Sequence, residues 1–438
     1  VKAYPSILDV PGRVDLAFIV VPSRFVTAVA RECVEKGVRG LVVISAGFSE
    51  TGDAGSELET ELMQVVRDAG MRMVGPNCMG LINTDSAISM NGQFGPLSPP
   101  AGNVAMSSQS GALGVAILDY ATELNIGIST FISIGNQPDV SGDDLLLYWE
   151  SDPGTDVILL YMESFGNPRR FARAARRIAK KKPIVAVKSG RTAAGARAAS
   201  SHTGSLASLD VAVDTLFRQA GVIRTDTLTE MFDVASLVAN QPPPKGRRIG
   251  IVTNAGGPGI LAVDALEANG LEVVEFSDEL KAGLRSFLAA DAAAGNPVDM
   301  IASAGPNEYA ACIDLLMSSN EIDALMAIFI PAAPEGADEV AVAIRDAAFE
   351  HHGEKPFLAV YMSSGGAPDI FSSGERAIPT YQFPEPAALA LTRAVEYVEW
   401  REKDEGAILD LSDVDATRAR AIVEGALDRS GAGWLDPD

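Results

Sequence analysis

The chain has 438 residues, enough for roughly two to four domains with their own cores, and its 47% apolar residues with 41 glycines and 25 prolines describe a globular α/β protein rich in tight turns. Thirty-five Lys and Arg against 58 Asp and Glu leave a net charge of −23, which argues against nucleic acid and against an anionic membrane surface as partners. Cys33, Cys78 and Cys312 have no metal-ligand spacing, no apolar run reaches the ~20 residues of a membrane span, and nothing reads as a secretion signal, so a reducing cytoplasm is the expected compartment.

The chain opens at Val1 in mid-pattern, and a fragment of a longer protein is expected. Asp15 to Val21 is a short apolar run closed by Pro22, as in a buried parallel strand, and a helix is expected over 23–36. Gly40 to Ser45 is the next strand. It delivers Ala46, Gly47 and Phe48 at its carboxyl end, where ligands lie in open parallel sheets. A helix over about 56–69 leads to a strand at 71–74 and then to Gly75-Pro76-Asn77-Cys78-Met79-Gly80. Each of these turns alone is ordinary punctuation of an α/β sheet.

Residues 96–102, rich in Pro and Gly, read as a linker. A strand at 103–107 then opens through Ser108-Gln109-Ser110-Gly111 into a helix running towards Leu124. Such a turn either caps the helix with a serine or offers free amides to an anion beside the positive helix end. Residues 133–140 are polar and turn-rich after a strand, and belong at a ligand edge. The strand from Val157 ends in the carboxylate of Glu163, and 169–182 reads as a basic helix with a solvated face.

Residues 183–188 form the strand feeding a Gly/Ala/Arg-rich run and then Ser200-Ser201-His202-Thr203-Gly204-Ser205. A histidine between small hydroxyl residues and a glycine is held by hydrogen bonds rather than by apolar packing. Its bland reading is a cap or a surface loop. Lys188, Arg191 and Arg197 upstream can attract phosphate, and an imidazole nitrogen is a competent nucleophile at neutral pH, so a phosphohistidine is chemically reasonable.

A stiff Pro-rich connector at 241–246 precedes a strand at 248–253 and Asn254-Ala255-Gly256-Gly257-Pro258-Gly259, which opens a helix: the pattern of residues 103–113 is repeated, and a second anion-binding helix end is inferred. Strands are expected at 270–274, 323–330 and 356–362. His351 and His352 read as a solvated helix end, since adjacent residues cannot both face one metal on a helix. An acidic helix is expected over about 411–427.

Lys-Ser-Gly-Arg-Thr at 188–192 followed by Ser-His-Thr-Gly-Ser-Leu-Ala at 201–207 resembles the phosphohistidine segment of the nucleoside-diphosphate-forming acyl-CoA synthetases, relatives of succinyl-CoA synthetase. The resemblance implies an α/β fold: a partial Rossmann-like coenzyme A domain (1–98), two flavodoxin-like, succinyl-CoA synthetase-like parallel-sheet domains (99–241 and 246–403), and a linker helix (404–438) towards an ATP-grasp module. It implies His202 as phosphoryl carrier and Glu163 as its orienter. Ser108, Gln109, Ser110 and Gly111, with Asn254, Gly256, Gly257 and Gly259, would bind the phosphate. Val21, Pro22, Ser45, Ala46, Gly47, Phe48, Pro76, Asn77 and Cys78 would line the coenzyme A site, although the family's first strand and Gly-rich turn are absent from these residues, which implies weak coenzyme binding by this chain alone.

The resemblance further implies acyl-CoA, phosphate and ADP interconverted with a small carboxylic acid (acetate by default), coenzyme A and ATP through an acyl phosphate. Nucleotide and Mg2+ would be held by an ATP-grasp subunit or domain, in an oligomeric assembly with no metal on this chain. The rival is a ligand-sensing scaffold module, as in protein lysine acyltransferases, which would have no chemical need for the histidine, the carboxylate and two anion-binding turns together.

Overall fold

The structure is a computed structural model describing residues 2–96, 98–192, 194, 195, 197, 210–331, 336–372, 377–404, 406 and 415–430. Residues 1–401 form one compact unit and 402–438 a second. The loop carrying His202 lies outside the described residues.

The first sheet is parallel, ordered β1 (Leu16–Ile19), β2 (Gly40–Val43), β3 (Arg72–Val74), and is wound through α1 (Ser23–Lys36) and α2 (Asp53–Asp68). Ile19, Leu41, Val43 and Met73 meet Val26, Ala30 and Cys33 of α1 and Leu62 and Val66 of α2 in a small core of their own. Helix α1 stops at Gly37, whose left-handed φ of 82° lets its amide return to the Cys33 and Val34 carbonyls.

The second sheet has seven strands. Strands β4 (Gly80–Asn83) and β5 (Met90–Gln93) make a hairpin, followed by β6 (Ala101–Ser108), α3 (Gly111–Glu123), β7 (Ile128–Ser133), α4 (Gly142–Ser151), β8 (Val157–Met162), α5 (Pro168–Ala179), β9 (Ile184–Lys188), α6 (Asp210–Ala220), β10 (Val222–Thr225) and α7 (Leu228–Asn240). The order is β10-β9-β8-β6-β7-β4-β5, with β4 antiparallel to β7 and β5 antiparallel to β4. Residues 80–93, although they precede residue 98, thus complete this sheet, because Ile82 buries its side chain in the core of β7 and α3. Strand β6 starts at Ala101, inside the expected linker: Gly102 lies so close to Gly127 that a Cβ on it would stand 2.4 Å from the Gly127 Cα, and no side chain holds the backbones apart.

The third sheet is parallel, ordered β12 (Val298–Asp299), β11 (Ile249–Thr253), β13 (Ala324–Phe329), β14 (Phe357–Tyr361), β15 (Thr380–Tyr381). Its helices are α8 (Gly256–Ala268), α9 (Asp278–Arg285), α10 (Pro306–Ser318), α11 (Ala337–Glu350) and α12 (Pro384–Glu402); α13 (Ala416–Ser430) belongs to the second unit. The strand expected at 270–274 is reduced to one bridge, Arg248 to Glu272. There the side chain of Asn296 replaces the ladder: its amide nitrogen donates to the Ile249 and Val274 carbonyls, and its oxygen accepts from Ile251 N. His351 caps the end of α11 and is only 9% exposed, with Nε2 2.8 Å from Asp314, so it ties α11 to α10 instead of lying in solvent. Among the described residues no helix is long and apolar enough to cross a membrane.

Helix α12 joins the second and third sheets. Leu391, Val395 and Val398 share one core with Phe232 and Ala179, Tyr397 Oη donates to the Ala179 carbonyl (2.7 Å), and Arg393 reaches the buried Glu230 (3.1 Å). Asp233 on α7 stands in this seam, and burial, then the neighbouring Glu230, push its pKa from 3.8 up to about 6. Its charge therefore destabilises the fold above pH 6, and the penalty fades as pH falls through the folded pKa towards 3.8. Replacing it by Asn should raise stability at pH 7.5 by about 2 kcal/mol, from about 1.4 kcal/mol per unit discounted for remaining solvent contact. Denaturant melts of Asp233→Asn and the wild type should converge near pH 4; a gain that persists there would assign it to something other than charge.

Candidate functional site

The carboxyl ends of the first two sheets converge on one edge. Ser45, just past β2, donates its hydroxyl to the Val21 carbonyl (2.5 Å) and accepts from Val21 N (3.2 Å), which binds the turn after β1 to the turn after β2. Asn77, in the left-handed region at φ 57°, donates its backbone N–H to the Ser45 carbonyl. The expected polar stretch after β7 reaches into the first domain. Asn136 donates its side-chain amide to Ser49 Oγ, Glu50 Oε2 (2.6 Å) and Glu59 Oε2, accepts from Asn77, and its backbone N–H bonds the Pro76 carbonyl. Asn136 thus holds the turns after β2 and β3, and Ser45 ties the turn after β1 to them.

That network changes what several residues can do. The amides of Gly47 and Phe48, free in a bare Gly turn, both donate to the Glu50 carboxylate. Burial would raise the Glu50 pKa, but the Asn136 amide and these two N–H groups outweigh it and lower it, so Glu50 occupies the turn as a built-in anion. Phe48 and Cys78 are buried, the Cys78 thiol donating to the Val43 carbonyl and pushed up to about 12 by burial, and Pro76 is buried as well. These three are packing residues of the loops. Val21, Pro22, Ala46, Gly47 and Asn77 retain exposure.

Next to them stands the turn from β6 into α3. Ser108 is wholly buried, and its hydroxyl both donates to the Ser110 carbonyl (2.8 Å) and accepts from Ser110 N (3.2 Å), closing the turn on itself. Ser110 Oγ caps α3 at Leu113 N. Gln109 is fully committed: Oε1 accepts from Glu163 N (2.6 Å) and Ser164 N (2.8 Å), and Nε2 donates to the Ser164 carbonyl. Its side chain is therefore a clamp that fixes the end of β8, not an anion ligand as its place in the turn suggests. The amides of Gly111 and Ala112 have no acceptor among the described residues, and Gly111 lies against Met79, within reach of the first domain's loop.

The turn from β11 into α8 repeats the closed turn and the clamp, without a side-chain cap, since Ala255 stands where Ser110 does. Thr253 Oγ1 donates to the Ala255 carbonyl (2.9 Å) and accepts from Ala255 N (3.1 Å), as Ser108 does with Ser110. Asn254, 4% exposed, donates to the Ile330 carbonyl (2.8 Å) and accepts from Ile330 N (3.0 Å), as Gln109 clamps the end of β8. It too is a clamp, and the free amides are those of Gly256 and Gly257. Gly259 packs on Thr253. Beside Gly256 stands Asp299, whose carboxylate accepts from Ile301 N, and Ile301 holds a φ of 59°, a strained setting for a β-branched residue that nothing in the residue pattern announced.

Glu163 follows β8 directly and is half-buried; its carboxylate has no hydrogen-bond partner among the described residues. One strand over, Lys188 is 7% exposed, with Nζ donating to the Ser189 carbonyl. Beyond the undescribed loop, Asp210 opens α6 and is gripped by Arg224 (2.5 Å), while Arg191 reaches Asp226 (2.6 Å). Both flanks of the loop that carries His202, Arg191 before it and Asp210 after it, are thereby pinned to β10 and the residue that follows it. The arginines of α5 are exposed, as expected of a solvated basic face, and two of them make surface ion pairs, Arg170 with Asp144 and Arg177 with Glu150.

Comparison with known proteins fits this edge. The coenzyme A binding domain family matches residues 1–84, the succinyl-CoA ligase like flavodoxin domain 101–238, and the Ligase-CoA domain 249–363. The alpha subunit of ADP-forming acetate–CoA ligase II of Pyrococcus furiosus is 42% identical over 401 residues, covering 90% of this chain and 86% of the relative. This chain belongs to the ADP-forming acyl-CoA ligase family. The alpha subunit of ligase I from the same organism is 38% identical over 405 residues, covering 92% and 87%. In structure, the dinucleotide-forming acetyl-coenzyme A synthetase 1 of Ca. Korarchaeum cryptofilum, in complex with phosphate and ADP, superposes with a TM-score of 0.85 at 35% identity, covering 92% of this chain and 86% of the other. One of the twin turns lies in the succinyl-CoA ligase like flavodoxin domain and the other in the Ligase-CoA domain.

Proposed function

We propose that the chain is the acyl- and phosphoryl-transferring part of an ADP-forming acid–CoA ligase. The observation that carries this reading is the turn built twice, with free helix-start amides at Gly111–Ala112 and Gly256–Gly257, one of them clamped through Gln109 to Glu163, on a chain of this family. Phosphate attacks the thioester carbonyl, the C–S bond breaks, and coenzyme A leaves an acyl phosphate. The phosphoryl group then passes to the His202 ring, releasing the free carboxylate, and from the ring to ADP. The four free amides and two helix dipoles favour the anion at each stage without having to reorganise. Glu163 stabilises the imidazolium that forms as the ring is phosphorylated.

Coenzyme A would lie along Val21, Pro22, Ala46 and Asn77, beside Gly47, which packs closely on Ser23: a Cβ there would stand 2.7 Å from Ser23 Oγ. Nucleotide and magnesium go to an ATP-grasp partner subunit or domain. The three cysteines are free and buried, which suits a cytoplasmic enzyme. Acetate is the proposed acid. The test is ATP formation: with an ATP-grasp partner, magnesium ADP, phosphate and acetyl-CoA, the mixture should release ATP and acetate one for one. A folded mixture that forms no ATP with acetyl-CoA or with longer acyl-CoAs would refute the assignment.

A further inference from the structure

The loop of residues 133–137, after β7, touches both halves of this edge. Ser133 stands opposite Ser108 in the parallel ladder, Ile134 N–H donates to the Ser108 carbonyl (2.9 Å), and Ser133 Oγ accepts from Met79 N (3.0 Å), so the start of the loop is fixed to the turn that leads to Gly111. Gly135 brings the loop against the first domain. It sits at φ 55°, and a Cβ there would stand 2.0 Å from the Pro76 carbonyl oxygen, so a side chain is excluded. Asn136 follows with both ends of its amide in use: Oδ1 accepts from Asn77, and Nδ2 donates to Glu50 Oε2 (2.6 Å), Glu59 Oε2 (2.8 Å) and Ser49 Oγ (3.1 Å). Two carboxylates of the first domain thus share one neutral amide, in a place where a charged Lys or Arg would be the stronger partner. Ionised carboxylates only accept, so this amide is the donor that lets the two stand together at the seam.

We propose that Asn136 is a positioning residue for the coenzyme A step: its amide, delivered from the second sheet, sets the turns after β2 and β3 at a fixed distance from the anion turn at Gly111, so that a thioester held along the former meets a phosphate held at the latter. This rests on the proposed placement of coenzyme A and phosphate. The contacts form a continuous path. Gly47 N–H donates to Glu50 Oε1 (2.6 Å), Glu50 Oε2 accepts from Asn136, and two residues before Asn136 the Ile134 N–H bonds Ser108, whose hydroxyl closes the anion turn on Ser110. Remove the Nδ2 donor and Glu50 and Glu59 are left as two acceptors side by side, while the Gly47 turn that Glu50 braces loses its tie to the second sheet. A reaction between two bound groups falls steeply when one drifts by about an ångström, because holding them together supplies much of its rate. Phosphorylation of the chain by ATP involves no coenzyme A and does not call on this spacing.

The experiment uses the chain assembled with its ATP-grasp partner and assayed with magnesium ATP, acetate and coenzyme A. Asn136→Ala should lower kcat/KM for coenzyme A by about 100-fold, with KM for ATP changed less than about threefold and with phosphate uptake from ATP, measured without coenzyme A, at about half the wild-type rate or more. Asn136→Asp separates the donor from the side-chain volume: it keeps the shape and the acceptor for Asn77 but sets a third acceptor against Glu50 and Glu59, so it should lose at least as much as the alanine variant. A merely structural residue would lower phosphate uptake and coenzyme-dependent turnover together. Either variant within about threefold of wild type in kcat/KM for coenzyme A, or an equal fall in both readouts, would overturn the proposal. If Asn136→Asp does not fold, the alanine variant decides. A wild-type assembly that takes up no phosphate and makes no acetyl-CoA refutes the ligase reading and this proposal with it, whereas an active wild type with unaffected variants refutes only the role of Asn136.

Discussion

Mixed with an ATP-grasp partner and magnesium ATP, the chain will take up one phosphate per molecule, labile in acid and stable in base, and His202→Asn will abolish it. Acid lability follows from a phosphorus–nitrogen bond, which separates this product from the esters that Ser200, Ser201, Thr203 or Ser205 would form. Turnover should fall with the labelling, by at least about 1000-fold, because a nucleophile and its intermediate are lost together. The fold should be untouched: the loop's flanks are fixed by Arg224 on Asp210 and by Arg191 on Asp226, none of which needs the imidazole. Labelling that persists in the variant, or that maps to His351, would place the chemistry elsewhere. His351 is a poor competitor, since both of its ring nitrogens are engaged by Asp314 and Glu354.

Glu163→Gln should lower kcat by about 100-fold or more, in the range set by losing charge stabilisation of a general acid–base partner, while the melting temperature stays within a degree or two. The asymmetry has a structural cause. Gln109 holds Glu163 by its backbone N–H (2.6 Å), which glutamine keeps, and the side chain makes no hydrogen bond among the described residues that folding would miss. What disappears is the negative charge that the proposed mechanism sets against the imidazolium. Single-turnover phosphorylation by ATP reads the step directly; a wild-type rate in the variant would remove Glu163 from the mechanism, and a large drop in stability would show a structural residue instead.

The contrast between Gln109 and Gly111 shows where residue patterns stop being informative. Both sit in one Ser-Gln-Ser-Gly turn, and both are polar groups at a helix start. Only three-dimensional pairing reveals that the Gln109 amide is consumed by Glu163 and Ser164, two strands' ends meeting across 54 and 55 residues of chain, whereas the Gly111 amide is left open. Asn254 repeats the lesson against Ile330. Glu50 is a third case: a charged residue in a loop reads as solvated, yet it fills the Gly47 turn because Asn136, 86 residues away, holds its other oxygen.

The amino-acid sequence by itself determined the alternation of short apolar runs with amphipathic segments, and with it three open sheets and the turns at their carboxyl ends, since side-chain period and Gly/Pro punctuation are local properties of the chain. The doubled strand-turn-helix pattern at 103–113 and 248–261 was equally local. Tertiary structure alone decided which sheet the hairpin of residues 80–93 joins, which turn residues are clamps and which are open, and that Lys188 is buried beside the end that delivers Glu163. These depend on hydrogen bonds and desolvation between segments distant in the chain, and a polar side chain looks the same in sequence whether its partner is water, a ligand or another strand's backbone.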